Sequence, residues 1–202
     1  MTTKQTIDFY FDLTSPYSYV AAEVIEDIAR AGQRTVNYKP TLLGFIFKAT
    51  GNSAPMMVPA KGKYSARDFA RTARFHGLTI NWPKQFPINA TTASRAILKL
   101  AETSPSQVGD FTRALYRAYF VQGQDITTED GVKAVADAMG LDGTALAAAN
   151  NDEAIKAALR AAVQESIDVG MFGAPYFVVD GEHFWGQDRM EQLRRWVVEG
   201  PF

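Results

Sequence analysis

Strand-forming sequence is confined to the two ends of this 202-residue chain, and that limits its possible folds more than any other feature. Near the start, Thr6 to Asp12 (TIDFYFD) alternates, with Ile7, Phe9 and Phe11 on one face, and predicts a half-buried strand. Val36 to Leu42 predicts a second. No strand signal returns until Tyr176 to Asp180 (YFVVD). There a Gly181-Glu182 turn leads into a partner strand at His183-Phe184-Trp185, a hairpin pattern.

The intervening punctuation is helical. Leu13-Thr14-Ser15-Pro16 reads as a short turn. Proline is favoured at a first helical position because its missing N–H costs nothing there, so Ser15 is the predicted N-cap. The helix runs from Pro16 to about Arg30, burying Val20, Ala21, Val24, Ile25 and Ile28, and Gly32 stops it. A β-α-β start implies a parallel pair with a right-handed crossover. Leu43 to Gly62, rich in Gly, Pro and Met, reads as a long functional loop. Helices are then predicted at Ala66–His76, Thr91–Glu102, Gly109–Phe120, Thr128–Met139, Gly143–Asn150 and Glu153–Asp168. An irregular aromatic stretch, Gly77 to Asn89, separates the first two. The last helix is Asp188 to Glu199, with Met190, Leu193, Trp196 and Val197 on its apolar face.

The order β-α-β, helices, β-β-α predicts an α/β chain with a thioredoxin-like fold and a large helical insertion, the DsbA-like variant. Residues 1–42 and 171–202 form the expected thioredoxin-like domain, and 43–170 the inserted helical domain.

Composition narrows the chemistry. A formal net charge of −1 gives no electrostatic footprint for nucleic acid. With no cysteine, the chain has no disulfide, no thiol nucleophile and no thiolate metal site; with only two histidines, a three-His zinc site is excluded too. No metal is expected. The N-terminus has no apolar stretch of signal-peptide type, and no run of about 18 apolar residues suggests a membrane span. The expected location is the cytoplasm. No Walker-A, GxGxxG or HExxH pattern occurs.

Two short segments concentrate the chemistry. Ser15-Pro16-Tyr17-Ser18 lies where thioredoxin-fold redox proteins carry Cys-x-x-Cys. A helix N-terminus there offers free N–H groups and partial positive charge. A serine hydroxyl can hydrogen-bond a thiolate but cannot exchange disulfides; a simple helix cap is the plainer role. Ala174-Pro175 precedes the late strand, where a cis-proline would face Ser15 and the preceding backbone could pair with a peptide-like ligand. A trans turn proline is the alternative.

Several longer segments extend the pattern: FDLTSPYSY, TGN, AKGKY, MFGAPYFVVDGE and FWGQDRMEQL, in that order over nearly the whole chain. In these the chain resembles the 2-hydroxychromene-2-carboxylate isomerases and the related kappa-class glutathione transferases. The resemblance implies a glutathione site. Ser15 matches the catalytic serine beside the sulfur, with Pro16 and Tyr17 its neighbours. Asn52 and Lys61 match polar contacts. Ala174, with Pro175, matches the backbone pairing to the cysteinyl part, and Gln187 and Asp188 match the pair at the γ-glutamyl end. Thr14 and Gln187 depart from the family, which commonly has leucine and a smaller Asn or Ser there. Outside the resemblance, Lys61 reads equally as a solvated loop cation or a ligand contact, Asp188 as the cap of the last helix (compatible with binding) and Arg189 as a surface or dimer-side charge. Asp12, at the end of strand 1 close to the site, reads as a turn-side acid, with tuning of the local charge as the alternative.

The resemblance further implies a glutathione-dependent cis–trans isomerase acting on a small aromatic substrate, and a homodimer. Met56, Met57, Trp82 and Phe86 are candidates for an apolar substrate wall. A kappa-type transferase or peroxidase, and a non-catalytic DsbA-like binding module, are the alternatives.

Overall fold

The strands from the two ends of the chain meet in one sheet. A computed structural model describes residues 6–202; residues 1–5 of the expected domain segment 1–42 lie outside the described residues. The sheet comprises β1 (Thr6–Phe11), β2 (Thr35–Pro40), β3 (Tyr176–Val179) and β4 (Glu182–Trp185), in the order β2-β1-β3-β4. β1 and β2 run parallel, joined by α1 (Pro16–Ala31), while β3 is antiparallel to both β1 and β4. This is the thioredoxin-like sheet that the element order predicts.

Period two sets the register. Phe9 lies opposite Tyr38 on β2 and Phe177 on β3, and Phe177 lies opposite Phe184 on β4. That row joins the main core, where Phe9 and Phe177 stack with centroids 5.2 Å apart. One residue along, Tyr10 lies opposite Tyr176. That row faces the other way, into a smaller cluster with Ile46 and Met171.

Between the two halves come α2 (Leu43–Thr50), α3 (Pro59–Phe75), α4 (Thr91–Thr103), α5 (Val108–Phe120), α6 (Glu129–Ala138), α7 (Gly143–Ala148) and α8 (Glu153–Asp168), and α9 (Met190–Glu199) closes the chain. Helix starts follow their capping residues: Ser15, Thr128, Asp142 and Asp152 each accept a backbone N–H from the first turn. The main core is shared. Ile7, Phe9 and Phe11 of the sheet pack in one buried cluster with Leu115, Tyr116 and Phe120 of α5 and Ile97 of α4.

Three expectations are corrected. Leu43 to Gly62 is not a loop: it holds α2, a 3-10 turn at Pro55–Met57 and the first residues of α3, which starts at Pro59 rather than Ala66. Its glycine and proline punctuate helices. Gly51 ends α2 in the left-handed region (φ 69°), and Pro59 sits at the first position of α3. The hairpin turns on Asp180-Gly181, both left-handed (φ 55° and 81°), so Glu182 belongs to β4 and pairs with Val179. Asp188 does not cap the last helix. It lies in a 3-10 turn, Gln187–Arg189, and α9 begins at Met190 without a side-chain cap.

Where α1 ends, it nearly touches α9. A Cβ on Gly32 would lie 2.8 Å from the Val197 side chain and 2.8 Å from its carbonyl oxygen. Backbone cannot yield as a side-chain tip does, so Gly32→Ala should wedge the two helices apart. A loss of about 1–3 kcal/mol is expected in chemical denaturation, as for other overpacked sites.

Candidate active site

Ser15 is held by local backbone geometry. Its N–H donates to the Asp12 carbonyl at 2.9 Å, closing the turn that leaves β1. Its backbone is extended (φ −87°, ψ 114°), and Pro16 follows as the first residue of α1. The hydroxyl accepts from Ser18 N–H at 3.2 Å, so Ser15 does cap the helix. It also donates to the Ala174 carbonyl at 3.3 Å, a long bond to a residue 159 positions away. The Ala174–Pro175 bond is cis, as expected, and the Pro175 carbonyl accepts from Gly186 N–H at 2.9 Å. Ser18, the second serine of the tetrapeptide, is fully buried.

Ser15 and Ala174 border a cavity of about 810 Å³. Of the predicted site residues, Ser15, Pro16, Tyr17, Asn52, Lys61 and Ala174 line it; Pro175, Gln187 and Asp188 do not. Gln187 and Asp188 lie in the 3-10 turn packed on α1. The Asp188 carboxylate pairs with Arg189 at 3.0 Å. Asn52 donates to the Phe172 carbonyl at 3.3 Å, linking the end of α2 to the segment before the cis-proline. Lys61, in the first turn of α3, is exposed and is the single cation among the lining residues.

Most of the lining is apolar. Met56, Met57 and Phe86 take part, as expected. Trp82 does not, but it stacks behind the lining residue Phe69 with centroids 5.8 Å apart. Leu43, Phe45 and Phe47 of α2 also contribute, and reading that segment as a loop hid them. The irregular stretch is tied in through Thr14, whose hydroxyl accepts from Ile88 N–H at 3.1 Å.

Two further residues escape a sequence reading. The Tyr17 hydroxyl donates to Asp68 of α3 at 2.5 Å, and Arg71 also pairs with Asp68. Burial, and then the Asp68 carboxylate, push the Tyr17 phenol well above its ordinary value. At Asp68 burial works the other way, but the hydrogen bonds from Tyr17 and Arg71 win and hold the carboxyl below the usual range. Tyr17 therefore keeps its proton, and that proton is engaged. Asp12 is the other. It is the turn-side acid expected, bonding Thr14 N–H across the turn, but it is also 4% exposed and is the single carboxylate among the cavity's lining residues. Its two oxygens accept from Thr14 N–H at 2.8 Å and Leu43 N–H at 2.6 Å.

The arrangement suits an anion. No acidic residue stands in the first turn of α1, so its positive end is not neutralised there. The Ser15 proton is held only by the long bond to Ala174, which a charged acceptor would outcompete. Neither group can act as a nucleophile of the thiol type.

Comparison with known proteins places the chain in a family. Residues 6–197 match the family model described as a DSBA-like thioredoxin domain. The chain is 30% identical to a 2-hydroxychromene-2-carboxylate isomerase of Sphingobium xenophagum, over 96% of this chain and 99% of that protein. It is likewise 30% identical to glutathione S-transferase kappa 1 of Caenorhabditis elegans, over 93% of this chain and 88% of the relative. A solved structure of 2-hydroxychromene-2-carboxylate isomerase superimposes with a TM-score of 0.84 at 23% identity, covering 93% of this chain and 92% of that one.

Proposed function

We propose that this chain, which belongs to the DSBA-like thioredoxin domain family, is a glutathione-dependent cis–trans isomerase of a small aromatic substrate. The observation that carries this reading is the Ser15 hydroxyl at the start of α1, bordering a large apolar cavity in a protein without cysteine. The substrate we assign is 2-hydroxychromene-2-carboxylate, converted to trans-o-hydroxybenzylidenepyruvate in naphthalene-type catabolism. The names of the relatives support that assignment.

The donor set suits glutathione. Ser15 and the first turn of α1 would hold its sulfur, and the Ala174 backbone its cysteinyl part. Lys61 and Asn52 would take a carboxylate and an amide. Asp188, beside α1 and outside the cavity lining, would take the γ-glutamyl ammonium together with Gln187, with Pro16 and Tyr17 shaping the floor and the cis bond at Pro175 presenting the Ala174 backbone. When bound, glutathione supplies a sulfur nucleophile that adds reversibly to a conjugated double bond, allowing rotation about it. Ser15 keeps the sulfur charged by turning its proton from Ala174 towards it. Met56, Met57, Phe45 and Phe86 exclude water and hold the aromatic ring. We further assign the protein to the cytoplasm as a homodimer, which light scattering at micromolar concentration tests.

The kappa-type relative favours a second reading, transfer or peroxidation at the same site. Chromatography after incubating 2-hydroxychromene-2-carboxylate with and without glutathione separates the readings. A trans product with glutathione returned intact supports the isomerase. Consumed glutathione supports the transferase. No turnover under either condition leaves a binding module.

Ser15→Ala should lower kcat more than it weakens glutathione binding. One charge-assisted hydrogen bond is worth roughly 1.5–3 kcal/mol, about 10- to 150-fold in rate. Ser18→Ala should do much less, because Ser18 is buried one turn inside the helix. Equal small effects in steady-state kinetics would reduce Ser15 to a helix cap.

A further inference from the structure

A thiol bound in this cavity must lose its proton to something, and the lining offers few takers. It contains no histidine. Lys61 is its single cation. The Tyr17 hydroxyl is committed to Asp68. From α5, the Tyr116 hydroxyl donates to the Asp12 carbonyl at 2.9 Å, and the Tyr119 hydroxyl donates to the Gln85 carbonyl at 2.7 Å. Burial holds both phenols above their ordinary values, so they stay protonated. One carboxylate remains among the lining residues, Asp12, three residues before Ser15.

We infer that Asp12 is the catalytic residue that takes the thiol proton of the ligand bound beside Ser15, an inference that rests on the glutathione site proposed above. The S–H bond breaks, its electron pair stays on sulfur, and an O–H bond forms on Asp12. Each carboxylate oxygen accepts one backbone N–H and keeps a lone pair for that proton. The charge balance explains why a buried acid stands here. With Asp12 ionised, a second anion in the same low-dielectric cavity would be repelled. Moving the proton from sulfur to Asp12 leaves the cavity's charge unchanged, and the positive end of α1 serves either anion.

The proton affinity fits that task. Burial pushes the Asp12 carboxyl up to about 6, against the opposing donation from the Leu43 and Thr14 N–H groups. A base poised there is mostly ionised at neutral pH, yet basic enough to accept a proton in the reaction.

Proton counting tests the assignment. Glutathione is titrated calorimetrically into the protein at neutral pH, in buffers of different ionisation enthalpy. The thiolate's ultraviolet band is followed in the same samples, and S-methylglutathione is the blank. The bound thiolate, a like charge beside Asp12, holds the transferred proton on the carboxyl, so the wild type should form thiolate while releasing less than about half a proton to the buffer, and Asp12→Asn a full proton for each thiolate formed. The variant should also lose about 100-fold or more in kcat/KM, and with it the acid limb of the pH profile near 6. Its affinity for S-methylglutathione should change less than about threefold, since that ligand has no proton to give. A full proton released by the wild type, or the same count in both proteins, overturns the role of Asp12 and leaves the glutathione site standing. Absence of bound thiolate in the wild type overturns both. If Asp12→Asn does not fold, the wild-type count decides alone.

Discussion

Replacing glutathione with S-methylglutathione should abolish isomerisation while leaving the site occupied. The chain has no cysteine, so the only sulfur nucleophile available to it comes from the ligand. Methylation removes the proton and blocks the nucleophile but keeps both ends of the peptide. Turnover should fall by about 1,000-fold or more, towards the uncatalysed background. At about 100 times its Kd the analogue should still stabilise the fold by about 2.7 kcal/mol, by linkage. The paired readout matters, because lost activity with retained thermal protection separates failed chemistry from failed binding. Undiminished turnover with the analogue would leave Ser15 and the α1 N-terminus to polarise the substrate directly.

Phe9→Ala should be the most damaging single truncation in the sheet. Phe9 is fully buried, stacks on Phe177 at 5.2 Å and lies 5.0 Å from Phe11 and 5.7 Å from Tyr38, centroid to centroid. It is the point where β1, β2 and β3 share one apolar row. Removing the ring costs its transfer free energy plus a cavity that three strands cannot collapse to fill, about 3–5 kcal/mol. In a protein of this size that is a fall in Tm of about 6–20 °C. Replacing the exposed Val198 of α9 should change stability by less than about 0.5 kcal/mol.

Those contrasts follow from what the sequence makes legible. Period two in TIDFYFD identified the face of β1 that joins the main core. Cap chemistry identified the helix start at Ser15-Pro16, because both signals act over a few residues. The meeting of Ser15 with Ala174, 159 positions apart, was legible only through the order of elements and the family resemblance, since no local pattern encodes it. Other features depend on tertiary neighbours. Asp12 reads as a turn-side acid at a strand end, but it is buried and bonded by Leu43 of α2 and Tyr116 of α5, partners that no local pattern announces. Tyr17 shows no sign of Asp68, which lies 51 positions later. In Leu43 to Gly62, glycine and proline end one helix and begin another, and composition alone cannot tell such boundaries from a loop. Asp188 has a capping residue type, but the chain enters α9 through a 3-10 turn that leaves its carboxylate beside Arg189.

The account turns on a sulfur kept ionised by Ser15 and the start of α1, and a spectroscopic titration of the bound thiol tests this directly. Glutathione is held saturating and the thiolate's ultraviolet band is followed against pH, with wild type and Ser15→Ala compared. The wild-type complex should ionise near neutrality, well below free glutathione. Loss of the hydroxyl should raise the midpoint by about 1–2 pH units, the equivalent of one charge-assisted hydrogen bond. A bound thiol that titrates at its solution value in both proteins would contradict the account.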